Sequence, residues 1–207
     1  MMEDFVSFQL LRTKFDGHIP YEELLLTREW QEKRYEVLKL DNWKCSNCFK
    51  VATDSSNDNQ VHFWWKETND IEKIAKIFRT KKEEDDVLKK MTIEKRRALI
   101  VSPVSIIPEI LPSDKPYFLQ IHHNYYIKNK LPWEYSNEAL ITLCNWCHWD
   151  FHQNNRVPFY ETEEKLTKLQ YTLCHRCSGS GWFPEFKHVE SGICFHCRGE
   201  KYVELIR

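Results

Sequence analysis

Between residues 119 and 153 the chain carries an adjacent pair, His122-His123, and then Cys144-x2-Cys147-His148-x3-His152. Adjacent side chains on an extended segment point to opposite faces, so His122 and His123 cannot both aim at one point. One can hold a metal while the other sits beside it and faces a substrate. His148 and His152 are four residues apart and share one face of a helix, a spacing that lets two imidazoles bind one ion. With His122 they would give three neutral nitrogen ligands and leave a position open for water or phosphate, the pattern of a catalytic rather than a structural metal site. His123 is then a free imidazole beside a metal, suited to act as a general base. Such a ligand set suits zinc, nickel, cobalt or manganese better than magnesium. A single histidine would read as an ordinary core or surface imidazole; the adjacent pair and the spacing of four, next to a cysteine pair, favour a metal.

All eight cysteines fall into four Cys-x2-Cys pairs: Cys45/Cys48, Cys144/Cys147, Cys174/Cys177 and Cys194/Cys197. A disulfide framework would not place every cysteine at this spacing. The pairs read as two four-cysteine structural zinc sites, and thiolate ligands imply a reducing compartment.

The elements that must position these residues can be read around them. Residues 117–122 form a first strand, 139–143 lead from a second strand into a cysteine knuckle, and 145–153 form a helix. Upstream, residues 21–40 have a helical pattern, with Thr27 placed to cap a segment starting at Arg28. The basic pair Lys33-Arg34 reads as a solvated face, with a DNA contact as the alternative. Residues 61–65 are apolar and aromatic and suit a strand, and His62 has no motif around it and reads as structural. Residues 70–97 have helical spacing through Ile71, Ile74, Ile77 and Phe78, with ten Lys/Arg against seven Asp/Glu. Pro103, Pro108, Pro112 and Pro116 make the following stretch extended chain rather than helix. Residues 161–170 form a charged link with helical character.

At the histidines and at Leu143-Cys144-Asn145-Trp146-Cys147-His148 the sequence resembles the HNH (ββα-metal) endonuclease family. The likeness is to its His-rich, colicin-like active site and to the many members that also carry a structural zinc. Pro132-Trp133-Glu134-Tyr135 resembles a phrase of one subgroup and also suits a packed turn. The resemblance implies that His122, His148 and His152 hold one catalytic divalent ion (zinc, nickel, manganese or magnesium) and that His123 activates water. The family's middle Asn falls where this chain has Ala139, with Asn137 and Glu138 beside it. The resemblance extends to a helix leading into a first knuckle, so Cys45 and Cys48 would share a zinc with Cys144 and Cys147. Compact relatives have a far shorter gap between those knuckles, and residues 53–116 therefore read as an insertion. In the tail, Cys174-x2-Cys177-x-Gly179-x-Gly181 resembles half of the zinc region of J-domain chaperones. Cys174, Cys177, Cys194 and Cys197 would close round a second zinc, with 181–192 as a hairpin between them. His175, His188 and His196 are further possible ligands in that module.

The resulting expectation is an α+β chain. Residues 1–52 hold an N-terminal helix and the first knuckle, 53–116 the inserted helical segment, 117–160 the small ββα-metal core and 161–207 a zinc-ribbon-like module. The expected function is hydrolysis of phosphodiester bonds in nucleic acid, chiefly DNA. The alternative is a catalytically inactive HNH-like zinc protein that binds nucleic acid, or a protein partner through 53–116 or the tail. Hydrophobic residues make up 42% and charged residues 29% of the chain, which excludes a disordered protein. The net charge of −1 gives no global attraction to nucleic acid, so any such contact must use local patches. No leader pattern or apolar span is evident, and the expected location is the cytoplasm, away from membrane.

Overall fold

The computed structural model describes residues 5–55, 62–68, 107–186 and 188–206. The chain mixes helix and strand, with small sheets of two or three strands. It divides into two compact units, Met1–Lys50 with Leu119–Arg207, and Val51–Phe118. Among the described residues no helix is long and apolar enough to cross a membrane.

The first unit begins with α1 (Phe8–Arg12), α2 (Tyr21–Leu24) and α3 (Arg28–Leu40). The helical pattern over 21–40 is split at Leu25–Thr27 because Thr27 caps the second segment. Its hydroxyl donates to the Leu24 carbonyl at 2.7 Å and accepts from the Trp30 N–H at 3.3 Å, so one side chain ends one helix and starts the next. Trp30, Val37 and Leu38 recur on one helical face and are buried.

In the second unit, β1 (Asp54–Ser55), β2 (His62–Thr68) and β3 (Ile107–Pro112) form an antiparallel sheet in that order. The proline-rich stretch is extended where it is described, and Pro112 pairs with Phe63 across the sheet. The Ser55 hydroxyl and His62 Nδ1 are 2.8 Å apart, so His62 has a local polar partner. The helical expectation for 70–97 lies outside the described residues.

Back in the first unit, β4 (Leu119–His123) pairs antiparallel with β6 (Leu140–Cys144), with His122 opposite Ile141 and His123 opposite Leu140. A short 3-10 turn, Asn137–Ala139, leads into β6, and α4 (Asn145–Asn154) follows it without a linker. Three side chains fasten α3 to this hairpin. Arg34 Nη2 donates to the Leu119 carbonyl at 3.1 Å. Asp41 Oδ2 accepts from the Thr142 N–H at 2.7 Å. Asn137 donates to Glu36 at 2.8 Å and accepts from Lys33 at 3.1 Å, so Lys33 helps dock the hairpin.

The short strands β5 (Tyr126–Ile127) and β7 (Phe159–Tyr160) pair in parallel. Residues 161–170 contain no helix, contrary to the charge pattern's suggestion. Glu161 N–H donates to the Thr167 carbonyl and Leu169 N–H to the Phe159 carbonyl, so the chain doubles back on β7. Leu166 is 87% exposed. Without an apolar stripe to bury, a helix here would lack the packing that stabilises short helices. The tail folds as two knuckles joined by bridges between Leu173 and Tyr202 and between Trp182 and Ile193.

Replacing Thr27 with Ala removes both hydroxyl bonds at a fully buried position. Denaturant unfolding should show a loss of roughly 1–2 kcal/mol.

Candidate metal centres and the histidine cavity

Cys144 ends β6 and also caps α4, its sulfur accepting from the Cys147 N–H at 3.4 Å. The first knuckle packs against it: the Ser46 N–H donates to the Thr142 carbonyl at 2.8 Å, and Asn47 Nδ2 donates to Cys147 Sγ at 3.4 Å. The sulfurs of Cys45, Cys48, Cys144 and Cys147 all lie within 4.8 Å of one another, as do those of Cys174, Cys177, Cys194 and Cys197. The Sγ–Sγ distances of 3.7 Å for Cys48–Cys144, 4.0 Å for Cys174–Cys194 and 3.6 Å for Cys177–Cys197 exceed a disulfide bond. They match the edge of a tetrahedron with zinc–sulfur bonds of about 2.3 Å, roughly 3.8 Å.

Burial pushes the Cys144 and Cys147 thiols up. At Cys45 the same burial is outweighed by hydrogen bonds from the backbone of Cys48, Cys144 and Asn47, which bring its thiol down to about 7. A buried cluster of this kind becomes four thiolates only around a cation. Both tetrads therefore fit zinc. In the second, Gly181 has φ +73°, and a Cβ there would sit 2.9 Å from the Gly199 carbonyl oxygen, so the knuckles can approach only with glycine at 181. His196 Nδ1 lies 3.4 Å from Cys174 Sγ, beside a set already complete with four sulfurs.

The third group is His122, His148 and His152, each offering a ring nitrogen within 4.8 Å of the others, and all three buried. His122 reaches them from one face of β4, and His148 and His152 from one face of α4. Both ring nitrogens of His122 are buried with no hydrogen-bond partner. Leaving a buried polar atom unpaired costs about 1–3 kcal/mol, and an ion would satisfy the one nitrogen that keeps a lone pair. The His148 Nδ1–H donates to Gln120 Oε1 at 2.9 Å, which leaves its Nε2 lone pair free, 3.3 Å from His152 Nε2. Nitrogens about 2.1 Å from a tetrahedral ion stand about 3.4 Å apart. Gln120 was not singled out in the sequence, although it lies two residues before His122 and so shares its strand face.

His123 points the other way. It is stacked between Trp30, with ring centroids 5.6 Å apart, and Tyr126, at 5.5 Å, with Tyr135 edge-on at 4.7 Å. Its Nε2 is 3.0 Å from the Pro132 carbonyl. A carbonyl only accepts, so Nε2 carries the proton and Nδ1 keeps a lone pair. His123 and His148 both line a cavity of about 320 Å3, together with Arg34, Gln120, Trp182 and Lys201. The tail thus helps to enclose the histidines, a contribution with no signal in the sequence.

Compared with models of protein families, with curated proteins and with solved structures, the chain gives no match.

Elemental analysis should find two zinc ions in the cysteine tetrads and a third metal ion at the histidines, and His122→Ala should lose that third ion alone. Burial, with further pushes from His122 at His152 and from Lys201 at all three, lowers the histidine pKa values to about 4 at His122 and about 3 at His123 and His152. The unfolded chain, with ordinary values near 6.5, then binds more protons between about pH 6.5 and 3. Stability is whole above pH 6.5 and falls as the pH drops through that window. The denaturation midpoint should be lower at pH 5 than at pH 7.5, and the third ion should leave in the same range, because protonated imidazole cannot ligate.

Proposed function

We propose that this chain is a metal-dependent HNH-type endonuclease that hydrolyses phosphodiester bonds in DNA. In this reading β4, β6 and α4 are its ββα-metal core, Cys45, Cys48, Cys144 and Cys147 hold a structural zinc, and residues 161–207 are a zinc-ribbon-like extension. The observation that carries it is the division of labour between adjacent residues. His122, whose ring nitrogens are buried without a hydrogen-bond partner, offers one of them to the group it forms with His148 and His152, while His123 turns away with its tautomer set by the Pro132 carbonyl.

An ion held by His122, His148 and His152 would supply Lewis acidity to the scissile phosphate and to the leaving oxygen. The remaining chemistry belongs to the side chains. Trp30, Tyr126 and Tyr135 hold the His123 ring in place, and burial keeps it neutral at pH 7, so Nδ1 is ready to take a proton from water. A phosphate entering the cavity would bring negative charge near the imidazole and stabilise its protonated form, raising its basicity when substrate is present. Gln120 holds the His148 ring by its Nδ1–H and so orients the ligand.

Purified protein should nick plasmid DNA in the presence of a divalent ion. His123→Ala should lower the rate at least a hundredfold, the usual scale of a general base, with metal content and melting temperature held. A His123→Ala protein cutting at the wild-type rate would remove His123 from the mechanism. No cleavage by wild type with any ion would leave a zinc-dependent binding module.

A further inference from the structure

Lys201 lines the cavity of His123 and His148, although only 7% exposed, and has no part in the histidine chemistry. Its Nζ lies over the Tyr21 ring at 3.5 Å and the Tyr126 ring at 4.9 Å. Among the described residues no carboxylate is within 4.0 Å of it; the neighbouring Glu200 is engaged by His18 at 2.8 Å and by the Tyr21 N–H at 3.1 Å. A buried ammonium is expensive unless it is paired, and ring faces offset part of that cost.

The backbone is committed to this placement. Lys201 has φ +70°, a conformation uncommon for a residue with a side chain, and its carbonyl accepts from the Cys174 N–H at 2.8 Å. The second zinc module therefore sets where the lysine starts. A Cβ at Gly181 would stand 3.2 Å from Lys201 Cγ, so that glycine also leaves room for the stem. Arg34, on α3, brings a second cation to the cavity lining, with Glu22 as its one acidic lining residue.

We propose that Lys201, carried into the histidine cavity by the C-terminal zinc module, binds a phosphate group there, together with Arg34. The proposal rests on the nuclease reading only for the source of that phosphate, a nucleic-acid backbone; a free phosphate ion has the same chemistry. The amine is buried against ring faces, and an anion in the cavity would give it the charged partner it lacks among the described carboxylates. The C-terminal module then completes the site rather than decorating it, since moving its knuckles would move the amine.

The experiment uses the full chain with its metals bound and lysines labelled with carbon-13. Inorganic phosphate, and separately a short single-stranded DNA, are titrated in while the Lys201 ε-methylene resonance is followed. That signal should shift with saturation, and Lys201→Met, checked for unchanged zinc content, should weaken phosphate binding at least tenfold, with Lys201→Arg retaining most of it. DNA that displaces phosphate identifies the backbone as the source; phosphate binding that DNA does not disturb supports a site for the free ion. A Lys201 resonance indifferent to both ligands in wild type overturns the proposal whether or not the mutant folds, as does equal phosphate affinity in a folded Lys201→Met. Phosphate binding lost in Lys201→Met, with no cleavage by wild type under any ion, would sink the nuclease reading and leave the anion site standing.

Discussion

The closure of Cys45 and Cys48 onto Cys144 and Cys147 is the constraint on which the first unit depends. Cys144 is at once the last residue of β6, the cap of α4 and a member of the tetrad. Holding its sulfur holds the junction between strand and helix, and His148 sits one turn beyond that junction. The partner knuckle is continuous with α3, which is also fastened to the hairpin through Arg34, Asp41 and Asn137. A chain of 207 residues divided into two units offers each a limited number of residues for a core, and cross-links through metal are a way for small folds to compensate. Bringing knuckles so far apart in sequence together costs chain entropy, but that cost grows only slowly with the length of the intervening segment.

Around that junction desolvation does two different jobs. At His122, His148 and His152 it brings three buried imidazoles together, and the His122 nitrogens are left without a hydrogen-bond partner. At His123 it holds a ring neutral inside an aromatic cage whose one polar contact selects the tautomer. The same burial at Lys201 leaves an amine against ring faces. Imidazoles, two basic side chains and one carboxylate, Glu22, therefore line the same cavity.

The tail is packed into the first unit as well as closed on its own cysteines. Its four cysteines are almost completely buried and form their own small core with Phe183 and Ile206 packed against it. Tyr202, one residue past Lys201, packs with Tyr126 and Val157 and donates its hydroxyl to the Val157 carbonyl. The module is thereby joined to β5 and to the chain after α4. Residues 1–50 and 119–207 form one compact unit, in which the tail takes part.

The grouping of the cysteines and histidines was legible because it is written in residue type and spacing. Four Cys-x2-Cys pairs, a spacing of four between His148 and His152, and the alternation that separates His122 from His123 follow from local geometry. Thr27 as a cap and the strand–knuckle–helix order from 119 to 154 were legible for the same reason: each depends on neighbours a few residues away. The helical reading of 161–170 failed because charge pattern says nothing about whether an apolar face has somewhere to go, and there the backbone pairs with Phe159 instead. Only the tertiary structure decided that Gln120 holds His148, that Pro132 sets the His123 tautomer, and that Lys201 enters the cavity from the far end of the chain. Those contacts join segments distant in sequence, and a side chain's environment is set by what packs over it rather than by what precedes it.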